Sequence, residues 1–199
     1  MGDEARILIV CTGNICRSPF IERLLQHALD ERQPGSDRGV IVRSAGTGAL
    51  VGSPMDAQAA AQLVAHGGDP SEFSARDLTP ALIAESDLVL TATREHRGKV
   101  AQMSPKAMRR VFTFRDFAHL VAEIDGPGPP AGVASARTWH REWVRHVTEK
   151  AAASRGLKPP LALESADIVD PYRHEEEVFA TMAQQIAEPM PAVVRTLVG

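Results

Sequence analysis

Short apolar runs and helical stripes alternate along this chain. Arg6 to Cys11 is a brief, partly β-branched run bounded by a turn, and it predicts a buried strand. Pro19 suits the first turn of a helix, and Phe20, Ile21, Leu24, Leu25, Ala28 and Leu29 follow at helical spacing. Gly39 to Ser44 predicts a second strand, and Asp56 to His66 a helix stopped by Gly67-Gly68. Asp87 to Thr91 predicts a third strand, followed by a charged helix from about Arg94 to Met103, and Arg110 to Phe114 predicts a fourth strand. A final helix from about Glu175 to Glu188 turns Val178, Phe179, Met182 and Ile186 inward. The alternation predicts an α/β fold: a three-layer, doubly wound sheet of four parallel strands with helices on both faces. Ligands of such sheets lie at the carboxyl ends of the strands, and the first strand delivers Cys11 to that edge.

One stretch breaks the alternation. Asp125 to Pro130 contains Gly-Pro-Gly-Pro-Pro, a linker signal. Beyond it Trp139, Trp143, Val147 and Ala151 fall four apart on one helix face, before a Gly156 cap and Pro159-Pro160. Residues 1–199 therefore read as a single domain with a helical insertion, a hairpin or arm, at about 125–166. Its tryptophan stripe is expected to pack on the main domain.

Composition narrows the function. The chain has 199 residues, 44% of them hydrophobic, enough for one core. A net charge of -3 argues against nucleic acid or an anionic membrane as the main partner. The apolar run Ile7 to Val10 is too short for a signal-peptide core or a membrane span, so no membrane insertion is expected. The two cysteines, Cys11 and Cys16, are too close together for a disulfide framework and suit a reducing compartment, so a cytoplasmic location is expected. The seven histidines show no metal-ligand spacing, and His140 and His146 read as surface positions; neither a metal nor a cofactor is expected.

The candidate chemistry begins at Cys11, in the string Cys-Thr-Gly-Asn-Ile-Cys-Arg-Ser-Pro. Between a strand and a helix start, such a loop turns successive backbone N–H groups toward one point, and the helix N-terminus adds partial positive charge. Thr12, Gly13, Asn14, Ile15, Cys16, Arg17 and Ser18 would then cradle a phosphate. Gly13 is expected to supply backbone freedom, and Asn14 to brace the loop through its amide. Arg17 can fork two hydrogen bonds onto phosphate oxygens. Cys11, at the bottom of the cradle, meets the positive surroundings that stabilise a thiolate, and Ser18 can donate to it.

This string resembles the signature of the low-molecular-weight protein tyrosine phosphatases. Other segments resemble the family in order: Ser44-Ala-Gly-Thr47 its second-strand motif, Asp87-Leu-Val-Leu90 its third strand, and Asp170-Pro171-Tyr172 its acid loop. Gly48-Ala-Leu-Val-Gly52 and Asp170 to Arg173 look more like the bacterial branch that partners capsule and exopolysaccharide tyrosine kinases. The resemblance implies hydrolysis of phosphotyrosine through a phosphocysteine on Cys11, with Arg17 as the clamp and Asp170 as the acid. It implies that Ser44 helps hold Asn14, that Tyr172 walls the substrate slot with Leu50 opposite, and that no metal takes part. It also implies a phosphotyrosine protein as partner, a bacterial tyrosine kinase or its substrate. The residues alone leave the acid open, because Asp before Pro is commonly a turn residue and Asp167 and Asp116 are rivals. Many members carry His where Phe73 falls here, so a smaller polar network behind the loop is expected. Arsenate reductases share this fold, but the intramolecular type needs cysteines beyond Cys16. Phosphoarginine phosphatases tend to carry Thr in place of Ile15. An inactive phosphotyrosine-binding module is the remaining alternative, against which Cys11, Arg17 and Asp170 all stand.

Overall fold

A computed structural model describes residues 4–32, 39–124, 126 and 136–198. Its centre is a four-stranded, all-parallel sheet of β1 (Ala5–Cys11), β2 (Val40–Gly46), β3 (Leu88–Thr91) and β4 (Val111–Thr113), in spatial order β2-β1-β3-β4. The register pairs Cys11 with Gly46 and Val10 with Thr91, so the strands end together at one edge. Because side chains alternate along a strand, the sheet feeds two separate apolar layers. Ile7, Ile9, Val42, Leu90 and Phe112 enter the larger one. Leu8, Val10, Val89 and Val111 enter the smaller. This two-faced burial is why β1 reads as a continuous apolar run.

Helices α1 (Arg17–Arg32), α5 (Phe114–Val121), α8 (Glu176–Ala187) and α9 (Met190–Val198) cover the larger layer with Phe20, Leu25, Phe117, Phe179 and Val193. The short helix α3 (Pro80–Glu85), α4 (Arg94–Met103) and a 3-10 turn at Pro105–Arg110 cover the other with Ile83, Val100 and Ala107. Helix α2 (Ala57–Ala65) begins on Asp56, whose side chain accepts from the N–H groups of Gln58 and Ala59. No helix of the described residues is long and apolar enough to cross a membrane.

Most of the 125–130 linker reading lies outside the described residues. Beyond it, α6 (Ala136–Ser154) and the short α7 (Leu163–Ala166) form the described part of the 125–166 segment. Val144, Val147 and Ala151 of α6 are fully buried in the larger layer. Trp143 stacks on Trp139 at 6.0 Å and donates its indole N–H to the Thr196 carbonyl, 2.8 Å away. His140, read from the sequence as a surface residue, is instead 3% exposed. Its ring fills the space a side chain at Gly39 would take, since a Cβ there would lie 2.2 Å from His140 Nδ1. Only glycine at the entry to β2 lets α6 come this close. His146 is exposed and lies against Trp143.

Candidate active site

The loop from Cys11 to Arg17 leaves the carboxyl end of β1 and turns directly into α1. Among the described residues, the N–H groups of residues 12–18 make no hydrogen bond to a backbone carbonyl outside regular elements. The first amide to close a helical bond is Phe20, onto the Cys16 carbonyl at 3.1 Å. The start of α1 thus leaves donors for an anion, as helix N-termini do. The left-handed residue in the loop is Asn14, with φ of 55°, and not Gly13. Asparagine tolerates that region because its short side chain finds local partners.

Those partners order the site. Asn14 Nδ2 donates to Ser18 Oγ at 2.9 Å and to Ser44 Oγ at 2.8 Å, while its Oδ1 accepts the Arg76 N–H at 2.9 Å. Ser18 Oγ, having accepted from Asn14, keeps one proton to give, and Cys11 Sγ lies 2.9 Å away. The network therefore aims the Ser18 hydroxyl at the sulfur as a donor, which steadies a thiolate. Ser44 hands its own proton to Glu22 Oε2. Glu22 is 5% exposed, and burial raises its pKa above the usual carboxylate value, with the Ser44 bond opposing. Phe73 takes no part in this network, and its ring faces the Arg23 guanidinium at 5.7 Å. Sequence reasoning passed over Glu22 and the backbone of Arg76. The signal for Glu22 was a carboxylate inside the apolar stripe of α1.

Gly46 lets the second strand close on the loop, since a Cβ there would meet the Thr12 carbonyl oxygen at 2.2 Å. Beyond it, the N–H groups of Thr47, Gly48 and Leu50 bond the carbonyls of Cys11, Thr12 and Gly13 at 2.9, 3.2 and 3.0 Å. These three bonds carry Leu50, 44% exposed, to the rim of the cradle.

His96, also unread in the sequence, braces the loop from the other side. Its Nε2 lies 2.8 Å from Thr12 Oγ1 and its Nδ1 2.6 Å from Thr93 Oγ1, the N-cap of α4. A neutral imidazole gives one of these bonds and accepts the other. Burial, with Arg17 nearby, lowers its pKa from 6.5 to about 4. The unfolded chain thus protonates His96 at a higher pH than the folded chain does. Stability from this group is complete above pH 6.5 and is lost as pH falls toward 4, in total about 3 kcal/mol. His96→Gln is expected to flatten that part of the stability profile, read as urea midpoints between pH 7 and 4. An unchanged slope overturns the assignment.

Asp170 reaches the cysteine loop through Arg17, whose Nη2 lies 2.6 Å from Asp170 Oδ2 and Nη1 3.5 Å from the Ile168 carbonyl. The rival acids are engaged elsewhere. Asp167 accepts from the backbone and Nε of Arg94 at the start of α4. Asp116 sits in the first turn of α5, where its charge acts on Arg155. Tyr172 follows Asp170, to whose Oδ1 its N–H donates at 3.3 Å, and its ring is 40% exposed beneath the Arg173 guanidinium. At Cys16, burial first and then the charge of Asp56 drive the pKa far up, so that group stays a thiol. Ile15 and Cys16 turn their side chains into the core.

Comparison with known proteins agrees with this geometry. The family model of low molecular weight phosphotyrosine protein phosphatases matches residues 6–155. A probable low molecular weight protein-tyrosine-phosphatase, EpsP of Ralstonia solanacearum, is 38% identical over 121 residues, covering 61% of this chain and 77% of that protein. Wzb of Vibrio vulnificus, solved in complex with benzylphosphonate, superposes with a TM-score of 0.64 at 28% identity, covering 96% of this chain and 97% of its own. The YwlE arginine phosphatase of Geobacillus stearothermophilus shares the fold at 24% identity and a TM-score of 0.63, covering 96% of this chain and 90% of its own. The family match stops short of Asp170, so that residue's place at the loop comes from the Arg17 contact. With the Cys11–Arg17 loop and the sheet from Arg6 onward inside the match, the chain belongs to the low molecular weight phosphotyrosine protein phosphatase family.

Proposed function

We propose that this chain hydrolyses phosphotyrosine in protein substrates through a phosphocysteine intermediate on Cys11. The carrying observation is the 2.6 Å contact that joins Arg17 of the cysteine loop to Asp170, across 153 positions of sequence. That contact supports a reading in which Cys11 is the nucleophile, Arg17 the clamp and Asp170 the acid, at the carboxyl ends of the strands.

The substrate phosphate enters the cradle of loop amides and takes Arg17 as a forked partner, competing with the Asp170 carboxyl for the guanidinium. The Cys11 thiolate attacks phosphorus in line as the bond to the phenolic oxygen breaks, and protonated Asp170 gives that oxygen its proton. Tyrosine leaves. Asp170, now a carboxylate, takes a proton from water as the water oxygen attacks phosphorus. The S–P bond breaks, phosphate departs, and the returning thiolate is met by the Ser18 hydroxyl. Leu50 and Tyr172 hold exposed apolar surface for the substrate ring.

Asp170→Asn tests the acid. Hydrolysis of phosphotyrosine is expected to fall roughly a hundredfold, and that of an aryl phosphate with a strongly acidic phenol several times less. Equal losses on both substrates would assign Asp170 a purely structural role. A panel of phosphotyrosine peptide, free phosphoarginine and arsenate separates the phosphatase from its relatives on the same fold. Turnover confined to phosphoarginine or arsenate overturns the reading, and binding of phosphotyrosine without turnover points to an inactive module.

The bacterial-branch resemblance of residues 48–52 and 170–173 supports a tyrosine kinase or its phosphorylated substrate as partner. Because both cysteines are free and the reaction needs reduced Cys11, the reading places the chain in the reducing cytoplasm. The 125–166 segment reads as an insertion, whose helix α6 lies at the amino ends of the strands, where Arg141 and Arg145 bond Asp87.

A further inference from the structure

The amino ends of the strands carry a second concentration of charge. Arg6 on β1, Lys106, Arg109 and Arg110 on the 3-10 turn, and Arg141 and Arg145 on α6 line a cavity of about 680 Å³. Among the described residues, the carboxylates that share it are Glu85, Asp87 and Glu149, in a chain whose net charge is -3. Asp87 is 6% exposed and holds two of the arginines in place. Its Oδ1 accepts from Arg145 Nε at 2.7 Å and Arg141 Nε at 3.3 Å, while its Oδ2 takes the Arg6 N–H at 3.1 Å. One carboxylate thus holds two guanidiniums side by side, while the Arg6 guanidinium reaches Glu85 and Glu4, each at 3.4 Å. Arg110 donates to the Ile83 carbonyl and leaves its buried Nε without an acceptor. Lys106 is exposed on the same turn.

We propose that this cavity is a second anion site, for a small molecule carrying a chain of phosphates. The volume suits a small ligand, and several guanidiniums from three elements suit an anion with several phosphate groups better than a single orthophosphate. Arg6 and Cys11 lie five positions apart on one strand, about 17 Å at roughly 3.3 Å per residue. The catalytic cradle and this cavity therefore sit at opposite ends of the sheet, and one ligand fills one without entering the other. Inorganic polyphosphate and the triphosphate tail of a nucleotide present the same chemistry.

The test is calorimetric titration of the full chain with inorganic tripolyphosphate and, separately, with ATP, the catalytic loop being saturated throughout with benzylphosphonate. Wild type is expected to bind tripolyphosphate with an affinity that falls steeply as salt is raised. Lys106→Glu/Arg109→Glu is expected to weaken binding at least tenfold while turnover of p-nitrophenyl phosphate stays unchanged. Equal affinities for the two ligands assign the site to the phosphate chain, and tighter ATP binding assigns it to a nucleotide. Absence of binding by wild type overturns the proposal, as does undiminished binding by the double variant. If the charge reversals abolish turnover, Lys106→Gln/Arg109→Gln replaces them, with at least threefold weakening expected and unchanged affinity again overturning the site.

Discussion

Cys11→Ser is expected to lower turnover on the order of 10⁴-fold or more, about 5 kcal/mol of transition-state stabilisation. The seryl hydroxyl is a poor nucleophile unless a base takes its proton, and the group nearest the sulfur is no base. Ser18 Oγ is already committed as an acceptor to Asn14 and points its proton at position 11. Phosphate binding depends on the loop amides and Arg17, which the substitution leaves in place, so phosphate is expected to bind within a fewfold of wild type. Steady-state hydrolysis of p-nitrophenyl phosphate measures the first quantity and calorimetric phosphate titration the second. Residual turnover within tenfold of wild type removes Cys11 as nucleophile, and Cys16 does not replace it, because burial holds that group as a thiol. Rapid quenching of wild type with substrate should trap one phosphoryl group on the peptide carrying Cys11.

Arg17→Lys is expected to cost about 10²–10³-fold in turnover, the range for losing a directed donor to a transition-state oxyanion. The side chain of Arg17 is 6% exposed, so water makes up little of what is lost. An ammonium keeps the charge but not the planar fork, and it loses the simultaneous reach to Asp170 and to the Ile168 carbonyl. The acid loop is then held less firmly, so the loss should fall on kcat as well as on KM. A variant with normal kcat and only a raised KM would show that Arg17 binds the ground state alone.

The loop was legible in the sequence because it is local. A nine-residue string between a β-branched run and an apolar helical stripe is enough to place a cysteine, a run of amides and an arginine in one strand-to-helix loop. The parallel sheet was legible for a related reason, since strands separated by helices have few ways to pair. Even so, β2 extends to Gly46, two residues beyond the expected end. Its last pairing, with Cys11, and the contact limit against Thr12 are properties of the neighbouring strand and loop.

Which aspartate meets Arg17 was beyond local reading. Asp167 and Asp170 are three residues apart and similar in kind, and only the path of the chain gives one to Arg94 and the other to Arg17. Likewise, nothing near His96 announces Thr12, 84 positions away, and nothing near Asn14 announces the Arg76 amide, 62 away. The basic cavity is of the same kind, since its cations come from β1, the 3-10 turn and α6. Periodicity and turn chemistry report what a residue does for its own segment. Hydrogen bonds and ion pairs across crossovers depend on where separate segments are laid side by side, and the tertiary structure alone decides that.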